Sequence, residues 1–288
     1  MRRAHRGSRM DAACFCPDHR IRVSPSRSRP TYVFQEASRN CIVDRGLLHL
    51  VTKTESWRLG NETSEDALSW NVFVGLKRLG RLRDAVSVLT GISVQAEPSL
   101  YLWGNEILER EVSRWSLLGK VRDRLEPRVG IRTEPDVALH VPGQLLVLIE
   151  AKFGSPNSTL DGKTRAYDSV QDFLRVYPAP EEGPDPLERE WIESMPTMLF
   201  LEQLSRLAVF GAWMRNGSEQ VVVVNLLRKR DLLAKAPDFV SHLSSDSPVT
   251  FEARAWEQLI PLTACADGET LARYLTQKSY CLRPAFFV

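Results

Sequence analysis

The sequence predicts an α/β domain. Two apolar runs, 144–149 and 220–227, have strand length and composition. Two longer segments, 63–79 and 197–214, carry apolar residues at helical spacing. They precede strands, as expected where helices and sheet share one core.

The elements follow in order. Residues 1–30 hold eight arginines and two aspartates, with Ser and Pro and no strand or helix period. They read as a disordered basic arm or an upstream start codon wrongly chosen, inside a tail that ends at residue 45. Strand-like character at 32–34 marks a transition. Residues 46–288 form a single domain. Its first helix spans 63–79: Thr63 or Ser64 can cap it, and acids fill the first turn. Leu68, Val72, Leu76 and Leu79 form the buried stripe, which Glu65 continues toward the N-terminus. Asp66 points about a hundred degrees away.

Residues 81–118 are predicted to be partly helical, with Trp103 and Trp115 as packing residues. The first core strand lies at 100–103 or just before Arg132. Strands follow at 132–140 and 144–153, then an inserted loop at 154–196 rich in Gly, Ser, Asn and Pro. The amphipathic helix 197–214 and the strand 220–227 complete the core.

Composition excludes several classes. Hydrophobic residues make up 43% and no run approaches a membrane span, so no membrane partner is expected. Net charge is +2, of which the first thirty residues supply +6, leaving the remainder near −4. Nucleic-acid binding would therefore rest on a local patch. Five cysteines at irregular spacing argue against a disulfide framework and for a reducing cytoplasm. Cys14, Cys16 and His19 are a weak metal-binding pattern, since no second pair stands at the right spacing, or are incidental to a loose tail. No phosphate-binding glycine loop is present, so no nucleotide cofactor is expected. The scattered histidines suggest neither a triad nor a His-rich metal site.

The informative segment is 135–152. Pro135-Asp136 opens an extended stretch, Pro142-Gly143 supplies a turn, and an apolar run then ends in Glu150-Ala151-Lys152. Side chains alternate along a strand, so Glu150 and Lys152 leave the same face. Charges at the end of such a greasy hairpin are costly unless paired or metal-bound. Two carboxylates suit Mg²⁺, and a lysine beside them could orient a water or hold a phosphate.

These residues resemble the PD-(D/E)XK nuclease superfamily, which includes restriction and repair nucleases. The resemblance covers roughly 55–288, mostly as pattern, and 271–286 resembles the ending of a group of bacterial members. It implies a restriction-endonuclease-like core: a central mixed β-sheet flanked by helices, in the order helix, three strands, helix, strand. It implies a metal-dependent DNA endonuclease of restriction, defence or repair type. Asp136, Glu150 and Glu65, with the Ala151 carbonyl, would hold Mg²⁺ or Mn²⁺, and Lys152 would stabilise the attacking hydroxide or the phosphate. Gln203 and Arg206 on the later helix would position the nucleic acid. Lys163 and Arg165 on the inserted loop, and Arg228-Lys229-Arg230 after the last core strand, are further phosphate contacts or merely solvated charges. Double-strand cutting usually implies a homodimer.

One condition attaches to this site. A two-residue turn at Pro142-Gly143 would set Asp136 opposite Ile149, with the acids on opposite faces. The site needs a bulge or an odd loop, and Gly143 can supply the positive φ of a three-residue loop. Two competing readings remain: a catalytically inactive nuclease-fold protein that binds nucleic acid or regulates, and an unrelated α/β protein with a coincidental motif.

Overall fold

A computed structural model describes residues 15–16, 21–23, 32–51, 59–61, 63–127, 132–160, 167–235 and 238–280. Three short strands, β1 (Phe15–Cys16), β2 (Ile21–Val23) and β3 (Tyr32–Phe34), form a small antiparallel sheet. From Val33 onward the chain packs on the domain. Val33 and Cys41 are buried. Asn40 Nδ2 donates to the Leu59 carbonyl at 2.8 Å, and Asn71 Oδ1 accepts from Ile42 N at 2.7 Å. Packing therefore begins ahead of the boundary expected at residue 45. A one-turn helix, α1 (Arg45–Leu48), follows.

The helix expected at 63–79 is α2 (Glu65–Arg78). Ser64 is its cap: Ser64 Oγ accepts from Ala67 N at 3.0 Å. Thr63 instead turns its hydroxyl to Asn61 Oδ1. Leu68, Val72 and Leu76 are fully buried. α3 (Leu82–Thr90) is the only helix in the stretch 81–114. The rest is β4 (Ser99–Leu102), β5 (Asn105–Ile107) and β6 (Val112–Arg114). Of the two candidates for the first core strand, the one at 100–103 coincides with β4 of the sheet, and the segment before Arg132 lies partly outside the described residues. The β4–β5 turn is Trp103-Gly104, with φ of 50° and 73°, the paired positive values of a type I′ hairpin. Tryptophan is a poor signal for that turn. It stays there because its ring stacks on Trp70 at 6.3 Å. Trp115 stacks on Tyr101 at 4.1 Å, so both tryptophans are packing residues.

Next come α4 (Ser116–Leu125), β7 (Val137–Val141) and β8 (Leu145–Ala151). The inserted segment contains α5 (Val170–Val176) and α6 (Arg189–Glu193). α7 (Glu202–Met214) starts five residues later than the pattern suggests. Pro196 begins a turn, closed by Leu199 N donating to its carbonyl, and Thr197 O accepts from Leu160 N at 3.1 Å. These bonds hold 196–200 outside the helix. Last are β9 (Gln220–Leu227), α8 (Lys229–Lys235), β10 (Val249–Ala255) and α9 (Glu269–Tyr280).

Seven strands form an open mixed sheet in the order β10-β9-β8-β7-β4-β5-β6. β8, β9 and β10 run parallel; the other neighbours are antiparallel. Helices cover both faces. Leu145, Val147 and Ile149 of β8 join the core under α2 and α3, whereas Leu146 and Leu148 join the core under α4, α5 and α7. Burial on both faces explains the unbroken apolar run. No helix among the described residues is long and apolar enough to cross a membrane.

Gly211 sets the distance between α7 and the sheet. A Cβ there would meet Val221 Cγ1 at 2.6 Å and Leu148 Cδ1 at 3.3 Å. Gly211→Ala is expected to destabilise by about 1–3 kcal/mol through overpacking. Gly119→Ala on α4, where nothing lies within 4 Å, should be neutral or stabilising. Urea unfolding of both variants checks the contrast, and equal effects would refute the close approach.

Candidate active site

The hairpin β7–β8 decides the site. Val141 pairs with Leu145 and Val137 with Ile149, so the loop is the three residues Pro142, Gly143 and Gln144. Gln144 N donates to the Val141 carbonyl at 3.0 Å, and Gly143 has φ 75°. A proline followed by a positive-φ glycine fits a type II turn, and Gln144 is the extra residue. Glu219 anchors this turn, accepting from Gly143 N and pairing with His140 Nε2, each at 2.9 Å. The register carried back one step sets Asp136 across from Glu150. The odd-loop condition is met, Glu150 and Lys152 share the face of Leu146 and Leu148, and Asp136 lies one residue ahead of the Val137–Ile149 pair.

Each acid is tied to the end of β8. Asp136 Oδ2 accepts from Ala151 N at 2.9 Å. Lys152 Nζ donates to Glu150 Oε1 at 2.6 Å, with the two residues 7% and 4% exposed. Glu65, the first residue of α2, accepts from Phe153 N at 2.6 Å and from Ser155 Oγ at 2.5 Å. The Lys152 backbone is fixed as well: its N donates to Leu226 O, and its carbonyl accepts from Trp256 Nε1.

Electrostatics follow from this crowding. Burial and the neighbouring Asp136 push Glu150 up to about 7, against the pull of Lys152 and Arg206. Burial also raises Glu65, with Lys152 opposing. For Lys152, burial works to lower the pKa, but Glu150, Asp136 and Glu65 outweigh it, and the ammonium is held above its ordinary range. Three carboxylates thus surround one lysine.

This donor set suits a hard divalent cation, because carboxylate oxygens are its preferred ligands and its charge would relieve the repulsion. Among the described residues, no three Asp, Glu, His or Cys side chains already converge as a metal cage. That is compatible with Mg²⁺, which usually takes one or two carboxylates and keeps several waters.

The other expected residues are distributed as follows. Gln203 Oε1 accepts from Ser158 N at 3.1 Å, so it latches the loop after β8 to α7. Arg206 is half-buried: its guanidinium lies 3.4 Å from Glu202, reaches Thr133 Oγ1 at 3.5 Å and favours the charged form of Glu150, so it stands beside the carboxylates. Arg228 is buried, bonded to Asp231 at 2.6 Å and lying over the Phe153 ring at 5.1 Å. Only Lys229 and Arg230 of that triplet are exposed. Lys163 and Arg165 lie outside the described residues, as do Cys14 and His19.

Sequence reasoning missed a buried polar network on this face. The Glu126 carboxylate accepts from Thr133 N and Oγ1 and from the Tyr177 hydroxyl, and Glu202 accepts from Tyr167. It also missed Asn225, which pairs in register with Glu150. The signal was visible, since Asn225 is the one polar residue in Val221–Leu227.

No family model, curated protein or solved structure matches the chain.

The raised Glu150 pKa has a stability consequence. Between about pH 4.5 and 7 the folded state binds more protons at this group than the unfolded state, so its contribution falls as pH rises. Relative to Glu150→Gln, the wild type should lose stability on going from about pH 5 to about pH 8. Thermal melts of both proteins check this, and a pH-independent difference would contradict it.

Proposed function

We propose that this chain is a metal-dependent nuclease of PD-(D/E)XK type, with DNA as the preferred substrate class. One observation carries the reading: the Asp136 carboxylate is bonded to the Ala151 amide beside the Glu150–Lys152 pair, at the end of a buried strand. The order of α2, β4, β7, β8, α7 and β9 supports a restriction-endonuclease-like core, with β5, β6 and α4 as additions.

Asp136 and Glu150 would hold Mg²⁺ or Mn²⁺, joined by the Ala151 carbonyl and by Glu65. When bound, such an ion lowers the pKa of water and offsets charge on the phosphate oxygens. The protein's own groups do the rest. Asp136 is oriented by the Ala151 amide, so its carboxylate stays aimed at the strand end. Lys152, now engaged by Glu150, would orient the attacking water or steady the phosphate if that carboxylate were given to the cation. Lys229 and Arg230 remain as exposed partners for the substrate backbone; contacts of that kind orient nucleic acid without reading sequence. A homodimer would suit double-strand cutting.

The second reading is a nuclease-fold chain that binds nucleic acid without cutting it. The closed Glu150–Lys152 pair favours it, because the groups needed for chemistry engage each other.

A cleavage assay on plasmid and linear DNA with Mg²⁺ or Mn²⁺ separates the two. Cleavage should vanish with EDTA and in Asp136→Ala. Lys152→Ala should lower the rate by about 10²–10³-fold or more and leave metal binding intact, whereas Asp136→Ala should weaken it. Wild-type activity in either variant would end the assignment. Metal binding without cleavage on any substrate would favour the second reading.

A further inference from the structure

β9 reads Gln-Val-Val-Val-Val-Asn-Leu-Leu, and it is buried on both faces. Asparagine is a poor strand former and an expensive residue to bury without partners. Asn225 is nevertheless 0% exposed, and neither its Oδ1 nor its Nδ2 has a hydrogen-bond partner. Its place explains why it is tolerated. In the parallel pairing of β8 with β9, Asn225 is the register partner of Glu150. Adjacent strands lie about 4.8 Å apart and register partners share a face, so the amide flanks the Glu150 carboxyl.

A second set of atoms lies on the same side. Gly211 packs on Val221 and Leu148, near the start of β9. Going back along α7 to Ser205 and Glu202 covers about 9–14 Å, comparable to the four strand residues from Val221 to Asn225. Ser205 Oγ and Glu202 Oε2 are likewise buried without a partner. Unpaired polar atoms thus lie at the level of Glu150, on the face where Glu202 also accepts from Tyr167 and pairs with Arg206.

We propose that Asn225 is a positioning residue for Glu150: its amide donates to the carboxylate and fixes which oxygen faces the bound cation. The proposal rests on the nuclease reading above. In the form described here Lys152 holds Glu150 Oε1. When the carboxylate turns to a cation, that bond is given up and one oxygen needs a new donor. Asn225 Nδ2 is a neutral donor in register with Glu150 on the adjacent strand, and it adds no competing charge. Partners of this kind, behind the ligands themselves, typically change metal affinity by about 10–100-fold when removed.

The test is Mn²⁺ titration by electron paramagnetic resonance on the full chain, alongside thermal melting. The proteins are wild type, Asp136→Ala, Asn225→Val and Asn225→Ser. Asn225→Val replaces an unpartnered amide with a side chain suited to a strand, so the melting temperature should hold or rise. Its Mn²⁺ affinity should nonetheless fall about tenfold or more. Asn225→Ser keeps a donor and should recover part of the loss. If the Val variant does not fold, Asn225→Ala removes the same amide without branching at Cβ and gives the same comparison. Wild-type affinity in Asn225→Val, with affinity lost in Asp136→Ala, overturns the role of Asn225 and leaves the carboxylate site standing. Equal Mn²⁺ binding by wild type and Asp136→Ala overturns the carboxylate site, and this inference with it.

Discussion

The register of one hairpin carries the candidate site. Strand side chains repeat every two residues, so a slip of one residue in β7–β8 would move Asp136 to the face opposite Glu150. The third loop residue prevents this. Pro142 presets its own φ, Gly143 takes the positive φ that follows, and Gln144 absorbs the extra position. Glu219 holds the turn from outside, bonding Gly143 and His140 and reaching Asn216 N as well. The acid pair therefore depends on a turn whose own support comes from the loop before β9. Strand β9 then lies beside β8 with Asn225 next to Glu150.

Burying charge at the end of that hairpin opposes folding. A buried ion pair such as Glu150–Lys152 is weak evidence for stability, since a well-packed apolar pair is often as good or better. Breaking it by removing one partner costs about 3–5 kcal/mol, because the other charge is left without compensation. The pair is also not balanced: Asp136 and Glu65 add negative charge, which Arg206 offsets in part. Local destabilisation of this kind is characteristic of sites arranged for chemistry, although structural networks produce it too. The Glu126, Tyr177 and Thr133 cluster shows the contrast. There the carboxylate accepts three hydrogen bonds and is satisfied.

Much of this was legible in the sequence. The cap and first-turn acids fixed α2 to within two residues, the Pro-Gly pair located the hairpin, and the apolar run gave β9 at its observed bounds. What failed had physical causes. The β4–β5 hairpin was hidden because its type I′ turn uses tryptophan where asparagine or glycine is the usual sign. The start of α7 was hidden because the bond from Leu160 to Thr197 is tertiary, and no local pattern encodes it. Helical spacing assigned faces to α7 but did not tell that Arg206 would pair with Glu202 one turn earlier. The order of the seven strands was likewise beyond a single chain's periodicity.

The loop after β8 links access to the site with its chemistry. Two side chains hold it down: Glu65 from α2, through Phe153 and Ser155, and Gln203 from α7, through Ser158. On the nuclease reading, Glu65 has two uses that compete. An oxygen given to a cation is less available to Phe153 N and Ser155 Oγ, so cation binding and release of the loop would favour one another. Such coupling is limited by the difference in affinity between the held and released forms. Gln203 bears on the loop without belonging to the carboxylate cluster, so it sets how readily the loop leaves without altering the donor set. The loop is thus bound to the same strand end that carries Glu150 and Lys152. On the nuclease reading, a cation that took an oxygen of Glu65 would weaken the hydrogen bonds that hold the loop to that strand end.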